Sequence, residues 1–406
     1  MAHILLGVTG GIAAYKAPEL IRSLHKRGHE VTVILTQAAQ RFVSPLVLEV
    51  LSRRPVLREL WRGGEEDSSP GEWTHHIALA HQADALLVAP ATAHTIAKFA
   101  LGQCDDLLSA VFLATRKPVL IAPAMESQMY RHPSVERNLH FLKRMEHVEI
   151  VAPGVGFLAS GRRGIGRLAS LTRLLAAVDR AISPPLFKGE RVLITAGATR
   201  EPWDAVRFIS NGSSGQMALA LAQAAHALGA EEVHVLAAHT EVRFPKALFR
   251  VTSTPTAQQM FEAFQKIYEQ YHWLLFAAAV SDYTFAYPFS GKHKKGEKEL
   301  HLTLVPTPDI LAWAGQHRKP HQRVIGFALE EPDKENYARE KLSGKGADWI
   351  AFNPISPETG MRSRTNALTL LSRWGHRYEI PLGPKSEVAR KMLIFIRNED
   401  RSRPSA

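Results

Sequence analysis

The strongest constraint on this chain is a pattern of segments that occurs twice along its 406 residues. Each copy has an apolar run, a glycine-rich turn, a helical stretch ended by a glycine, and a second apolar run. The apolar runs are residues 1–8 and 30–35 in the first copy and 191–195 and 232–236 in the second. This succession predicts parallel strands joined by right-handed helical crossovers, so the two copies indicate two α/β domains.

The segment 183–189 is the expected domain boundary because it places two prolines and a glycine between a helical stretch and the second copy. We predict a first domain over 1–182, a linker over 183–189, a second domain over 190–398 and a disordered tail over 399–406. Further strands are predicted at 85–89, 118–122, 274–278, 324–327 and 349–352, followed by a hairpin of 367–373 and 377–380. The predicted fold class is α/β, with two three-layer parallel-sheet domains.

Composition limits the possible classes of function. Cys104 is the only cysteine, so an internal disulfide and a thiolate metal cluster are excluded, and we expect this thiol to be buried. The net charge of +11 favours anionic partners, but the basic residues are dispersed and form no nucleic-acid-binding stripe. No segment has the length of a membrane span or the pattern of a signal peptide. We expect a cytoplasmic protein that binds phosphorylated small molecules and neither nucleic acid nor a membrane.

Small and polar residues follow several predicted strands of the first half. Glycine-rich turns offer N–H groups to a phosphate, and open α/β sheets bind ligands beyond the carboxyl ends of their strands. The sequence therefore predicts a ligand crevice here, although each turn alone is also compatible with an ordinary strand-to-helix connection. The residues concerned are Gly10, Gly11, Thr36, Pro90, Ala91, Thr92 and Met125.

Six motifs lie in order along the first 180 residues. They are GVTGGIAAYK at 7–16, HI at 76–77, AD at 83–84, APAT at 89–92, DDLL at 105–108 and PAM at 123–125. With these motifs the segment resembles the flavin-containing cysteine decarboxylases, specifically the decarboxylase half of the bifunctional enzymes of coenzyme A biosynthesis. The resemblance implies a flavodoxin-like domain that binds FMN at a subunit interface of a homotrimer. It also implies that His76 is the active-site base rather than a surface imidazole beside His75.

The resemblance further implies a mechanism in which FMN takes two electrons from the cysteine thiol of the substrate, after which carbon dioxide is lost and a protein thiol returns a proton. This chain departs from that pattern at two positions. Glu126 replaces an asparagine that faces the substrate carboxylate, and Ser160 replaces the proton-donating cysteine. Because a hydroxyl is a much weaker acid than a thiol of pKa about 8.5, two interpretations stay open: an impaired decarboxylase, or a flavin-binding scaffold without the reaction.

The second half contains groups that suit a nucleotide triphosphate. Joining a carboxylate to an amine requires activation, and the phosphates that supply it need cations and N–H groups around them. Ser213, Ser214 and Gly215 stand at the start of a predicted helix, where an anion binds well. A lysine run alone is more typical of a solvated loop, but this one follows Asp282 in a patterned context. The candidate lysines are Lys292, Lys294 and Lys295, with Lys341 and Lys345 near a helix end.

Eight further motifs lie in order within the segment 188–398. They are VLITAG at 192–197, TREP at 199–202, RFISN at 207–211, SSG at 213–215, AAAVSDY at 277–283, KHKK at 292–295, PDIL at 308–311 and GFA at 326–328. The segment resembles the phosphopantothenate–cysteine ligases, which implies a Rossmann-like ligase domain after the flavin domain. The implied reaction joins 4′-phosphopantothenate to cysteine through an acyl-cytidylate formed from CTP, with Mg²⁺ bridging the phosphates. Whether CTP or ATP is preferred stays open.

The same resemblance assigns roles within the second half. Asn211 would orient or polarise the acyl group, and Lys292 would stabilise charge on it. The implied substrate and nucleotide contacts are Ala279, Asp282, Asp309 and Phe327, together with the residues of the helix start and the other candidate lysines. A trimeric first domain and a dimeric second domain would together form a closed dodecamer.

Two functions of other classes are weighed against this interpretation. One is a non-catalytic flavin-binding protein that regulates a partner, which Asn211 and the lysine segment argue against. The other is an NAD(P)-dependent dehydrogenase, but neither glycine turn has three spaced glycines followed by an acidic residue.

Overall fold

The computed structural model describes residues 1–60, 74–296, 299–356 and 358–402. These residues divide into two compact units, Met1–Ser183 and Pro184–Ala406. Residues 403–406 of the predicted tail lie outside the described residues, as does part of the segment that precedes His75.

The first unit is built on a parallel sheet. Its strands are β1 (His3–Val8), β2 (Glu30–Leu35), β3 (Ala85–Ala91), β4 (Val119–Pro123) and β5 (Val148–Ile150). Among the described residues the order across the sheet is β2-β1-β3-β4-β5, with every pair parallel. This is the flavodoxin-like order, and it confirms the predicted fold class. A separate antiparallel hairpin follows, formed by β6 (Gly154–Phe157) and β7 (Arg163–Arg167).

Helices cover both faces of this sheet. Successive residues of β1 point to opposite faces, so Ile4 and Leu6 pack into one core cluster while Leu5 packs into the other. Both faces of a parallel sheet are therefore buried, as the continuous apolar runs predict. The helices are α1 (Ala17–Lys26), α2 (Pro45–Ser52), α3 (His75–Gln82), α4 (Ala93–Leu101), α5 (Leu107–Ala114), α6 (Ser127–Tyr130), α7 (Pro133–Lys143) and α8 (Leu171–Ala181).

The helix predicted over 12–26 is two helices in the structure. A 3₁₀ helix covers Ile12–Lys16, and α1 begins at Ala17 with Pro18 in its first turn. Proline has no N–H for a helical hydrogen bond and is tolerated only in the first turn of an α-helix. Pro18 therefore sets the beginning of α1, which periodicity alone does not reveal.

The second unit contains a larger, mixed sheet. The strands of this unit are β8 (Arg191–Ala196), β9 (Arg200–Pro202), β10 (Phe208–Ser210), β11 (Glu232–Ala237), β12 (Arg250–Ser253), β13 (Trp273–Phe276), β14 (Tyr283–Phe285), β15 (Leu304–Pro306), β16 (Arg323–Glu330), β17 (Trp349–Pro354), β18 (Thr365–Ser372) and β19 (Arg377–Pro384). Outside the main sheet, β9 pairs with β10 and β14 pairs with β15, both antiparallel. The order in the main sheet is β12-β11-β8-β13-β16-β17-β18-β19, parallel up to β17 and antiparallel after it. The predicted hairpin is confirmed as β18 and β19.

Two groups of helices pack on opposite faces of the main sheet. The helices are α9 (Gln216–Ala227), α10 (Ala257–Ile267), α11 (Ile310–His317), α12 (Glu335–Gly344) and α13 (Lys385–Arg401). Side chains of α9 and α13 share one core cluster, whereas those of α10, α11 and α12 share the other. Alternate residues of β8 divide in the same way, with Val192 and Ile194 in the first cluster and Leu193 in the second.

The predicted linker and tail differ from the structure. Phe187 is fully buried in the core of the second unit, where its ring lies 4.9 Å from that of Trp273, so 184–189 fold with that unit. Burial of this aromatic side chain outweighs the prolines that suggested a linker. The tail predicted from 399 is helical up to Arg401, because the apolar face of α13 extends through Ile396 and Arg397 binds Glu190.

Candidate active sites

The first unit contains a cavity at the carboxyl ends of its central strands. Its volume is about 1430 Å³, which exceeds the roughly 300–1,000 Å³ of an ordinary small-molecule site, so it has room for two ligands. The predicted residues on its wall are Gly10, Gly11, Thr36, Thr92, Met125, Glu126 and Ser160. Pro90 and Ala91 were also predicted to contact a cofactor, but they do not line this cavity.

Thr9 ties the glycine turn to the end of β3. Its buried Oγ1 donates to the carbonyl oxygen of Pro90 at 2.7 Å and accepts a hydrogen bond from the Thr92 N–H at 3.0 Å. A side chain at Gly10 would place its Cβ 2.4 Å from that of Ala38, so only glycine fits there. Pro90 therefore lies outside the cavity wall and helps to hold Thr92 and the glycine turn in place through Thr9. The glycine turn and Thr92 line the cavity.

Lys98 is a charged group on this wall that we did not predict from the sequence. The residue is 9% exposed, and its Nζ lies 2.7 Å from carboxylate oxygens of both Asp105 and Asp106. Burial alone would lower the pKa of Lys98, but these two carboxylates raise it above its usual value. Asp106 also caps α5, accepting from the N–H of Ser109 at 2.8 Å. The protein thus supplies the counter-charge for this ammonium itself.

Glu126 and Ser160, the two departures from the decarboxylase pattern, line the same cavity. Glu126 is half-buried and caps the short helix α6 by accepting from the N–H of Gln128. Ser160 is exposed in the turn between β6 and β7. The hairpin is held to the Glu126 loop by a hydrogen bond from the Met125 N–H to the Gly166 carbonyl at 2.9 Å.

Two other residues singled out in this unit lie outside the cavity wall. His76, on α3, does not line the cavity that the described residues of one chain form. Cys104, which we expected to be buried, is exposed in the loop between α4 and α5. The polar residues Gln103 and Asp105 beside it keep that loop at the surface. One small apolar thiol does not bury enough area to draw the loop into the core.

The second unit contains a cavity of about 580 Å³ at the carboxyl ends of β8, β13, β16 and β17. Most of the predicted residues meet there. Those on its wall are Asn211, Ser213, Gly215, Ala279, Asp282, Asp309, Phe327, Lys341 and Lys345.

The start of α9 is one side of this cavity. Gly215 has φ +81°, and a side chain there would approach Thr240 within 2.8 Å, so glycine is required. Ser214 is fully buried and donates its hydroxyl to the carbonyl of Met361 at 2.8 Å. The Ser214 side chain is therefore held within the fold, whereas Ser213 and Gly215 line the cavity.

Asn211 is fixed by its amide nitrogen. Its Nδ2 donates to the carbonyls of Ala279 and Val280 at 3.3 and 3.1 Å. Because both N–H groups face backbone acceptors, the oxygen Oδ1 is the atom that can serve a reactant. The predicted role of Asn211, to orient or polarise the acyl group, stays a prediction.

Lys341 and Lys345 lie on the opposite side of the cavity, at the end of α12. Lys341 donates to the carbonyl of Phe327 at 2.8 Å, and burial and the nearby Lys345 ammonium lower its pKa. Lys345 pairs at 3.0 Å with Asp309, which caps α11. Burial alone would raise the pKa of Asp309, but the Ala312 N–H and Lys345 lower it below its usual value.

The predicted lysine run does not reach this cavity within one chain. Lys292, Lys294 and Lys295 are exposed and do not line it. Their segment is held instead by His293, whose N–H donates to a carboxylate oxygen of Asp204 at 3.1 Å.

Lys385 also lines the cavity, and our sequence analysis did not identify it. It is the first residue of α13 and is 6% exposed. A lysine at a helix N-terminus opposes the positive end of the helix dipole, and this unfavourable placement was the signal available in the sequence.

No helix among the described residues is both long and apolar enough to cross a membrane. Within the same residues, no group of three or more His, Cys, Asp and Glu side chains is placed to hold a metal ion.

Comparison with known proteins gives matches to both units. A family model named Flavoprotein matches residues 1–183, and one described as the DNA/pantothenate metabolism flavoprotein C-terminal domain matches residues 187–399. The chain is 39% identical over 393 residues to the coenzyme A biosynthesis bifunctional protein CoaBC of Vibrio vulnificus, covering 96% of each chain. It is 39% identical to the protein of the same name from Bacillus subtilis, covering 96% of this chain and 95% of that one. A crystal structure of a CoaBC C-terminal domain is 34% identical, covers 54% of this chain and all of that one, and has a TM-score of 0.45.

Proposed function

This chain belongs to the family of bifunctional coenzyme A biosynthesis proteins, and on that premise we propose that its two cavities carry out two successive reactions. The second unit, hereafter the ligase unit, joins 4′-phosphopantothenate to cysteine with CTP. The first, hereafter the flavin unit, decarboxylates the product to 4′-phosphopantetheine with FMN. The observation that supports this most directly is the cavity of the ligase unit, which brings Asn211, Asp282, Phe327 and the two lysines at the end of α12 together at the strand ends.

In the proposed ligation, the substrate carboxylate attacks the α-phosphate of CTP, pyrophosphate leaves, and the amine of cysteine then displaces CMP from the acyl-cytidylate. Lys341 and Lys345 offset the negative charge of the triphosphate, which Mg²⁺ would bridge. Both side-chain N–H groups of Asn211 face backbone carbonyls, so we assign its Oδ1 to accept a hydrogen bond from the incoming amine. The exposed segment that contains Lys292, Lys294 and Lys295 contributes positive charge to the reaction in one of two ways. Either it moves toward the cavity of its own chain, or it reaches the cavity of a second copy.

The cavity of the flavin unit fits FMN. The turn at Gly10 and Gly11 admits a ligand close to the backbone, and the hydroxyls of Thr36 and Thr92 face the same space. When bound, the flavin accepts two electrons from the substrate thiol. His76 reaches the cavity only from another subunit, in keeping with the predicted homotrimer.

We further propose that decarboxylation in this chain is slow. Glu126 presents a carboxylate to the carboxylate of the substrate, and the hydroxyl of Ser160 is a weak proton donor. The placement of both side chains on one cavity wall supports this proposal. The second candidate function is therefore a ligase whose flavin unit binds cofactor without completing the reaction. We propose the cytoplasm as the site of action and the dodecamer as the assembly.

The deciding experiment is an assay of the purified protein with 4′-phosphopantothenate, cysteine, CTP and Mg²⁺, with mass detection of products. Accumulation of phosphopantothenoylcysteine, with a small fraction converted to phosphopantetheine, is the expected result. Accumulation without any conversion would favour the scaffold interpretation, and complete conversion would contradict the proposed impairment. Absence of CTP turnover would refute the ligase proposal.

A further inference from the structure

Glu126 is a carboxylate on the wall of the flavin cavity with one oxygen available to a ligand. Its half-buried side chain caps α6, with Oε2 accepting from the N–H of Gln128. Among the described residues, Oε1 has no hydrogen-bond partner and neither oxygen has an ion-pair partner. The substrate carboxylate, which we expect to face residue 126, therefore meets a second carboxylate there.

The elements around Glu126 carry charged groups, but none of those described is paired with it. The Met125 N–H holds β7 beside this loop by donating to the Gly166 carbonyl at 2.9 Å. Arg167 lines the cavity, but its guanidinium lies against β6, with Nη1 3.2 Å from where a Cβ of residue 156 would stand. The charge of Glu126 is therefore not offset when the substrate carboxylate arrives. The titratable groups of α6, of the start of α7 and of β7 are Tyr130, Arg131, His132, Glu136, Arg163 and Arg167.

Decarboxylation consumes one proton, and it consumes it at one carbon. The net reaction replaces the bond between the α-carbon and the carboxylate by a C–H bond and releases carbon dioxide. The hydride and the proton removed when the thiol is oxidised are returned later, so they leave no net demand. The remaining proton must reach the α-carbon, and the exposed hydroxyl of Ser160 is too weak an acid to supply it readily.

We propose that Glu126 is the proton donor of the flavin unit, an inference that rests on the proposed decarboxylase function. Two carboxylates at one place do not both ionise readily, so the bound substrate and Glu126 share one proton. When the carbon–carbon bond breaks, carbon dioxide leaves and its electron pair moves into the C=S group made by the oxidation, which gives an enethiolate. The proton stays on Glu126, beside the α-carbon that has just lost its carboxylate, and Glu126 transfers it to that carbon. The departure at residue 126 thus compensates for the departure at residue 160.

The test introduces Glu126→Gln into two backgrounds and measures phosphopantetheine formation from phosphopantothenoylcysteine. Glutamine keeps an oxygen that can accept from the Gln128 N–H, so α6 remains capped. With Ser160 present, the substitution should lower the rate about 100-fold, because the proton donor is lost. In Ser160→Cys, where a thiol donates instead, the same substitution should raise the rate about threefold, because only the repulsion is removed. A higher rate in both backgrounds would show that Glu126 merely repels the substrate, and it would overturn the proposal.

The pH dependence gives a second kinetic readout. The shared proton is present at low pH and lost as pH rises, so the wild-type rate should fall where the thiol variant stays active. We expect the ratio of the wild-type rate to that of Ser160→Cys/Glu126→Gln to fall about tenfold per pH unit between about pH 7 and 8.5. The ratio cancels the ionisation of the substrate thiol, which is common to both proteins. A ratio that does not change with pH would contradict the proposed role of Glu126.

Calorimetry counts the shared proton without any turnover. The probe is 4′-phosphopantothenoyl-alanine, which keeps the substrate carboxylate and lacks the thiol. Binding measured at pH 7 in buffers of different ionisation enthalpy should take up about one proton in the wild-type protein and about none in Glu126→Gln. Glu146→Gln is the matched control, because Glu146 is exposed between α7 and β5 and does not line the cavity, and its proton uptake should equal that of the wild type. Absence of product from the wild-type protein would refute the proposed decarboxylase, whereas absence of proton uptake would refute the shared proton, so the two failures are distinguishable.

Discussion

The two cavities each contain a buried lysine, and the protein treats the two in opposite ways. Lys98 in the flavin unit is 9% exposed and lies 2.7 Å from each of two carboxylates. Lys385 in the ligase unit is 6% exposed and donates to a single backbone carbonyl among the described residues. Burial lowers the pKa of Lys385, whereas Asp105 and Asp106 overcome the effect of burial and raise that of Lys98.

The contrast separates a lysine whose charge the protein pairs from one whose charge it leaves unpaired. Where the protein supplies the counter-charge, the ammonium is neutralised before any ligand arrives and contributes to the fold. Where it supplies only a carbonyl, the charge is available to an anionic substrate at some cost in stability. The two units also differ in their response to acid, and that difference gives the largest expected effect.

Acidification should destabilise the ligase unit before the flavin unit. His234 is 1% exposed and bonds Tyr271 and Thr252, and burial and the charge of Arg250 lower its pKa to about 4. The unfolded chain, with a histidine pKa of about 6.5, then binds more protons than the folded one between these values. The free energy of unfolding should fall by about 3 kcal/mol as pH decreases from 6.5 to 4.

Hydrogen exchange of the 232–237 strand at pH 7 and pH 4.5 measures this loss locally. His234→Gln, which cannot titrate, should be less stable at pH 7 but flatter across the window. The flavin unit responds at lower pH: burial alone would raise the pKa of Asp106, but its bonds to Lys98 and Ser109 lower it below 3.8, so its contribution is lost only in stronger acid. Earlier exchange of the flavin unit on acidification would contradict the comparison.

Lys341→Met should lower kcat/KM for CTP about 100-fold, which corresponds to about 2.7 kcal/mol. The side chain donates to the Phe327 carbonyl and faces the cavity from the α12 side, where we place the triphosphate. The KM for 4′-phosphopantothenate should change little. Steady-state kinetics with each substrate varied in turn measures both constants, and equal effects on the two substrates would contradict the assignment of Lys341 to the triphosphate.

Lys98→Met should destabilise the flavin unit by about 2 kcal/mol. Removing one member of a buried ion pair costs about 3–5 kcal/mol, and the exposure of Asp105 reduces this value through solvent screening. Urea unfolding of the full-length variant, followed by hydrogen exchange in α4 and α5, measures the loss. Adding Asp105→Asn and Asp106→Asn should recover part of it, because the unpaired carboxylates are then removed. If Lys98→Met were instead more stable to urea than the wild-type protein, Lys98 would resemble Lys385, whose buried charge is not paired by the protein.

The sequence predicted the parts of the molecule that follow from local pattern. Both βαβ openings and the C-terminal hairpin are where periodicity placed them. Most residues carried over from the ligase motifs line one cavity. The sequence did not predict Lys385, because its importance depends on burial and on a missing partner, neither of which is a local property. The side-chain contacts of Ser214 and Asn211 likewise depend on Met361, Ala279 and Val280, residues distant in the chain.

Ser160→Cys has the smallest expected effect and tests the other half of the comparison, the departures in the flavin unit. Decarboxylation needs a proton returned to the product, and a thiol of pKa about 8.5 donates it far more readily than a hydroxyl. We expect about a tenfold increase in phosphopantetheine formation from phosphopantothenoylcysteine, with ligase rates unchanged. The gain is limited because Glu126 still repels the substrate carboxylate. Glu126→Asn should add to it without disturbing α6, since asparagine also caps helices.

The matched control is Ser134→Cys, which places a thiol on exposed α7 away from the cavity and should leave the rate unchanged. If Ser160→Cys also leaves the rate unchanged while the wild-type protein already converts its substrate, another group donates the proton. Cys104 is the obvious thiol to examine, because it is exposed. A Cys104→Ser variant that loses decarboxylation would then show that the proton donor has moved to another loop, and that Ser160 marks a relocated function rather than a lost one.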